Sequence, residues 1–482
     1  MRQLFILSIV AFILFPSCNN KSNQEKPFDT VLISNPKHKA SCVRFASDEH
    51  DNPIISWCET DEAERKFFYL SFFENGKFGT PVNIPIEQNA AIHEEGMPKA
   101  AIKSDGTIIA VYETVSPTPE NGWAGFIHYI QSFDKGKSWT KPLCVHADSS
   151  QGKSRSFADI TRLSNGEIGA SWLDVSLDNK KNGRTVKFAK TNGRNGFENE
   201  RLVDSFACEC CRTAISGKDG KISIVFRDII SDSVRDISIS TSSDNGDTFS
   251  KAVSFSNDDW IVNGCPHNGP SVVNDKENVC AAWFTGSQKR GVYYCELNNN
   301  EEVVYKKLIS PNGKNIQLCL APDGSKVLAY NEIRRHPTHP VGGADSFYSR
   351  IIVNKIEGEK VLEANITLSK AHAGYPVIHA MKKNNIAVAW TENDKIFYSL
   401  LNTHDISNTI QQSAIMHVTN ENKLLHVKLE YKKDPVCGMP LSHGAKDTTL
   451  YKEKIIGFCS KECKEEFLKN PKQYALKLGK EL

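Results

Sequence analysis

The chain has 482 residues, 39% of them hydrophobic, and a formal net charge of +2 from 59 basic and 57 acidic residues. That length can bury one large core or several, and the balanced charge gives no global pull toward nucleic acid. No basic cluster interleaves with aromatics, so no nucleic-acid partner is expected.

In chain order, Met1-Arg2-Gln3 is a short basic start, and Leu4 to Phe15 is an apolar run too short to span a bilayer. Ser17-Cys18 ends that run, and the polar stretch Asn19 to Lys26 follows. The arrangement resembles a bacterial lipoprotein signal. The resemblance implies cleavage before Cys18, lipidation of its thiol, and a body tethered in the cell envelope, periplasmic or on the outer-membrane surface. No other stretch is long and apolar enough to cross a membrane.

The middle of the chain repeats. Strands ending in Trp57, Tyr112, Trp172, Phe226, Trp283, Tyr330 and Trp390 align, with spacings of 47 to 60 residues. Tight-turn signals precede several of them: Ser104-Asp105-Gly106, Ser164-Asn165-Gly166, Lys218-Asp219-Gly220 and Pro322-Asp323-Gly324. Such a period suits four short antiparallel strands, one blade of a β-propeller. Asp29 to Ile33 precedes the first repeat and is expected to complete the last blade, closing the ring. Two segments, Ser132 to Trp139 and Ser242 to Phe249, read Ser-x-Asp-x-Gly-x-Ser/Thr-aromatic. These resemble the Asp-box of sialidases, a turn device between outer strands. Seven aligned strands favour seven blades, although sialidases themselves have six.

The repeat alignment organises the cysteines. Cys208 and Cys265 each lie 18 residues before their aligned aromatics, and Cys210 and His267 each lie 16 before. Equivalent positions of adjacent blades are neighbours, so Cys208, Cys210, Cys211, Cys265 and His267 are expected at one channel mouth. The same offset gives Glu94 and His372, with His93 beside Glu94. Sulfur and imidazole suit copper or zinc. A Cys208–Cys265 or Cys211–Cys265 disulfide remains the open alternative. Cys42/Cys58 and Cys280/Cys295 flank hairpins, as cross-strand disulfides or buried thiols, and Cys144 and Cys319 read as core residues. The body resembles a group of exported sialidase-like propellers with a Cys-x-Cys-Cys segment, here Cys208 to Cys211, and a Gly-Cys-Pro-x-Asn-Gly-Pro segment, here Gly264 to Pro270.

Sialidase chemistry needs an arginine cluster for a carboxylate, a tyrosine nucleophile with its glutamate, and an acid. Arg44, Arg155, Arg212 and Arg227 are candidates, with Glu59, Glu113, Asp174 and Asp228 at strand ends. The Arg-Ile-Pro segment is replaced by Val43-Arg44-Phe45. These departures disfavour an enzyme; an exo-sialidase or glycan-binding body is the alternative.

The chain closes on Asp434-Pro-Val-Cys437-Gly-Met439 and Gly457-Phe-Cys459-Ser-Lys-Glu-Cys463. Cys-x-x-x-Cys on the first turn of a helix puts both sulfurs on one face, and the Cys-Gly-Met turn brings a third. A disulfide-stapled tail would leave one of the three unpaired. With Asn470-Pro471 and Tyr474, this run resembles a YHS domain. The resemblance implies metal binding by Cys437, Cys459 and Cys463, and a metal-transport or metallochaperone partner. The expected organisation is a signal at 1–17, a tether at 18–27, an all-β propeller at 28–401, a linker at 402–432 and a small α+β YHS or TRASH-like domain at 433–482.

Overall fold

The computed structural model describes residues 28–177, 183–231, 233–262, 264, 266–335, 347–367, 372–409, 433–438, 441, 445, 447–451, 454–471 and 474. Cys18, Cys265 and Met439 lie outside them. The chain divides into two compact units, Met1–Asn408 and Thr409–Leu482.

The first unit is a seven-bladed propeller: seven antiparallel sheets, five of them built from consecutive strands only. The first blade runs Lys39–Ser47, Pro53–Thr60, Lys66–Glu74 and outer pieces at Lys77–Phe78 and Val82–Ile84. The seventh has Ala373–Ala380, Asn385–Glu392 and Lys395–Asn402, and Thr30–Leu32 supplies its fourth strand. Thr30 pairs with Ser399 and Leu32 with Phe397, so the chain's first strand closes the ring as expected.

The aligned aromatics explain the repeat. All seven sit on the second strand of their blade, at most 1% exposed. Trp172 packs in one cluster with Ile109, Val111 and Ile127 of the preceding blade, Trp283 with Val225 and Ile239, and Trp57 with Ala387 and Ala389 of the seventh. A propeller has no central core; such aromatics fill the wedge between neighbouring blades, and the sequence period follows from that. Truncating one to alanine costs about 3–5 kcal/mol.

The Asp-boxes lie between third and fourth strands. Asp134 accepts from the Ser138 N–H at 2.8 Å and its hydroxyl at 2.6 Å, and the Gly136 N–H donates to Ser132 Oγ at 2.7 Å. The second box repeats these bonds with Asp244, Thr248, Gly246 and Ser242. Gly136 and Gly246 have φ of +86°, which the turn requires.

The body runs past the expected boundary at 401. Asn402 caps a short 3-10 turn, Ile406 is 1% exposed in the core of the sixth and seventh blades, and Asn408–Thr409 joins the sixth sheet. The second unit has a hairpin, Asp447–Tyr451 with Lys454–Phe458, followed by a helix, Lys461–Lys469. Ile456, Phe458 and Phe467 form its small core.

Candidate metal centres

In the second unit, Cys459 directly follows the hairpin and Ser460 caps the helix, its side chain accepting from the Cys463 N–H. This cap places Cys463 one turn into the helix, on the face of Cys459; their sulfurs are 3.7 Å apart. The Cys437 sulfur is 3.4 Å from that of Cys459. Gly438 follows with φ of +76°, and its N–H donates to the Asp434 carbonyl at 2.8 Å, forming the turn that presents Cys437.

Asp434 shows no role in the sequence motif alone. Its carboxylate accepts from the backbone N–H of Val436 at 2.8 Å, Cys437 at 3.3 Å and Cys459 at 2.7 Å. One buried side chain thereby joins both cysteine-bearing segments. Burial works against its charge, yet the Cys459 and Val436 N–H groups hold its carboxyl below the usual range. Burial raises the Cys459 and Cys463 thiols above theirs. One donor atom each from Asp434, Cys437, Cys459 and Cys463 lies within 4.8 Å of the others. Sulfurs on a tetrahedral ion with bonds of about 2.3 Å are spaced about 3.8 Å apart, so the donor set fits a thiophilic metal.

In the propeller, Cys208, Cys210 and Cys211 occupy the crossover from the third blade's outer strand, Phe197–Ala207, to the fourth blade's inner strand, Ala214–Lys218. Their donor atoms also lie within 4.8 Å of one another, with Cys208 and Cys210 sulfurs 3.9 Å apart. All three are at most 5% exposed, against Ile229, Phe157 and Phe206. Hydrogen bonds from Cys210 and Cys211 pull the Cys208 thiol down to about 3, assisted by Arg227; burial raises Cys211.

Four other blades carry a bulge at the position that Cys211 occupies in the fourth, where the inner strand pairs without a shift. Cys42, Phe157, Asn315 and Tyr375 each lie 15 residues before their blade's aligned aromatic, each with φ between +50° and +60° inside an inner-strand bulge. Cys211 holds the same offset in the fourth blade, beside Phe157 of the third.

The other expected ligands fall elsewhere. His267 is exposed, with φ of +45°, and its ring stands 5.5 Å from that of His93, outside the thiol group. The backbone there leaves the extended path that the shared offset assumes. Burial, then His267, lowers the His93 pKa. His372 is exposed and joins neither thiol group. Glu94 accepts from the Cys42 N–H at 3.1 Å, and burial raises its carboxyl to about 7.

Every described cysteine is a thiol. Cys42 and Cys58 meet as buried thiols. Cys280 pairs in register with Glu296 and Cys295 with Ala281, so the two face opposite sides of the sheet and form no cross-strand bridge. Cys319 is a core residue, as expected, whereas Cys144 is half-buried on the second blade's outer strand.

The catalytic candidates are engaged in architecture. Glu59 and Asp174 accept from the indole N–H of Trp57 and Trp172, two residues earlier. Glu113 accepts from the Phe157 N–H at 2.6 Å, and Asp228 from the Ser238 hydroxyl at 2.6 Å. Arg44 pairs with Asp159 and Arg212 with Glu95, both at 2.6 Å, and Arg155 lies 2.9 Å from Asp148. Arg227 donates to the carbonyls of Arg235, Asn268 and Phe284. The cavity between Arg44, Arg212 and Gln317 has about 130 Å³, against about 300–1,000 Å³ for small-molecule sites.

The fold and sites define a seven-bladed, Asp-box-bearing propeller with a separate thiol-bearing domain. Residues 69–405 match the BNR repeat-like domain, and the chain belongs to that family. Residues 432–477 match the YHS domain. No curated protein matches the chain. Among solved structures it is similar to a protein from Dyadobacter fermentans at 13% identity, covering 78% of this chain and 98% of that one, with a TM-score of 0.43. It is similar to the intramolecular trans-sialidase from Ruminococcus gnavus at 8% identity, covering 80% and 98%, with a TM-score of 0.46. The NanB sialidase from Streptococcus pneumoniae is 9% identical, covering 79% and 71%, with a TM-score of 0.44.

Proposed function

We propose that the chain is an envelope-tethered metal-binding protein whose YHS domain takes up copper, zinc or another soft heavy metal, for metal handling or detoxification. The convergence of Asp434, Cys437, Cys459 and Cys463 within 4.8 Å carries this reading. Asp434 pre-sets the two segments, so three sulfurs need little rearrangement to ligate together. Each ligating thiol gives up its proton on binding. The propeller serves as platform, Cys18 as lipid-bearing residue, and a transporter or metallochaperone as exchange partner. Elemental analysis of anaerobically purified full-length chain tests the reading: wild type holds about one copper or zinc that Cys437→Ser/Cys459→Ser/Cys463→Ser lacks. Equal metal in both would sink it.

Membership of the BNR repeat-like family favours a second reading, a glycoside hydrolase. The paired arginines and indole-bound acids weigh against it. Turnover of a fluorogenic sialoside, abolished by Arg44→Ala, would reverse the preference.

A further inference from the structure

The geometry points to a second metal site, in the propeller itself: Cys208, Cys210 and Cys211 form a trigonal all-sulfur site for a monovalent soft cation, with Cu(I) as the fitting ion. It does not depend on the YHS reading. A trigonal ion with metal–sulfur bonds of about 2.3 Å spaces its sulfurs about 4.0 Å apart, and Cys208 and Cys210 stand 3.9 Å apart.

Three observations choose the ion. First, the donor group contains three sulfurs and, among the described residues, no fourth His, Cys, Asp or Glu. Thiolates bind both zinc and Cu(I), but zinc favours four donors, whereas three sulfurs satisfy the softer Cu(I). Second, Ile229, Phe157 and Phe206 wall the sulfurs, and an apolar wall offers little place for a water as fourth ligand. Third, Arg227 is a cation 1% exposed, with no carboxylate partner in salt-bridge reach among the described residues. Its Nε has no hydrogen-bond partner there, and its other contacts are carbonyls and the Trp260 ring at 4.9 Å. A buried charge needs an opposite one nearby. Arg227 acts electrostatically on both Cys208 and Cys211, so a negatively charged metal–thiolate group would supply it. Binding replaces the thiol protons, which leave to solvent, with one Cu(I); no electron is transferred.

The test uses the full-length chain with Cys437→Ser/Cys459→Ser/Cys463→Ser, so the YHS thiols play no part. After anaerobic reduction it is titrated with Cu(I) against a coloured Cu(I) chelator, and X-ray absorption reads the donors. The expected result is one Cu(I) per chain with three sulfur neighbours. Adding Cys208→Ala or Cys211→Ala should weaken binding by at least ~100-fold, since even partners outside a ligand set are worth 10- to 100-fold. A thermal melt and circular dichroism check that these variants fold, and the absorption spectrum of the unaltered body stands independently of them. Reduced chain that leaves all Cu(I) with the chelator, a spectrum with nitrogen or oxygen donors, or a disulfide here that survives reduction of the folded chain would each overturn the proposal.

Discussion

The two thiol groups are built on opposite plans. In the YHS domain the cysteines stand at the surface, on segments joined by one carboxylate, with Cys437 exposed. In the propeller three cysteines from one crossover are sealed against aromatic and aliphatic side chains, with a buried guanidinium acting on Cys208 and Cys211. The first plan favours exchange, because a ligand can be approached and displaced. The second favours retention, because the site must open before anything leaves.

Thiol labelling gives the largest expected contrast. In metal-free chain Cys437 should react with iodoacetamide at least ~1,000-fold faster than Cys211, read by peptide mass spectrometry, since a packed thiol reacts only on local opening. Equal rates would erase the distinction. Next, Cys459→Ser should weaken binding at the YHS domain by at least ~100-fold and leave copper at Cys208 to Cys211 unchanged. A chelator competition on both sites reads this, and a loss at both would mean they act as one.

Asp434→Asn sharpens the contrast further. It keeps all three sulfurs but weakens the carboxylate's hold on three N–H groups, and metal affinity should fall ~10- to 100-fold. An unchanged affinity would mean that the sulfurs are placed without it.

The smallest effect concerns the buried Glu94 carboxyl. The Glu94 carboxyl is raised to about 7 by burial, so between about pH 4.5 and 7 the folded state holds a proton that the unfolded state has released. Its contribution therefore favours folding at acid pH and fades as pH rises through 7. Glu94→Gln removes this term. Relative to wild type, the variant should gain stability between pH 5 and pH 8, on the order of 3 kcal/mol at most. Denaturant melts at both pH values measure it, and a constant gap would show that Glu94 is charged throughout.

Much of this was legible in the chain. The aromatics at Trp57 through Trp390 announced the blades because each blade repeats one wedge-filling problem, and ring closure followed from the orphan strand at Asp29 to Ile33. The YHS cysteines were legible because their spacing is local. What escaped depends on backbone detail that an offset count cannot carry. The positive φ of His267 separates it from the thiols, and a one-residue register shift sends Cys280 and Cys295 to opposite faces. Asp434, before a proline, reads as an ordinary turn residue; only its three N–H partners reveal its role.

The pairing of Thr30–Leu32 with Lys395–Asn402 also sets a schedule. Thr30 and Ser399 are 369 residues apart, so an early strand waits for one made much later. Until it docks, the seventh blade shows an open edge, the template on which chains join one another. Contacts of such separation form slowly. The molecule is thus most vulnerable to aggregation late in its assembly, and a truncation before Ile33 would hold it there.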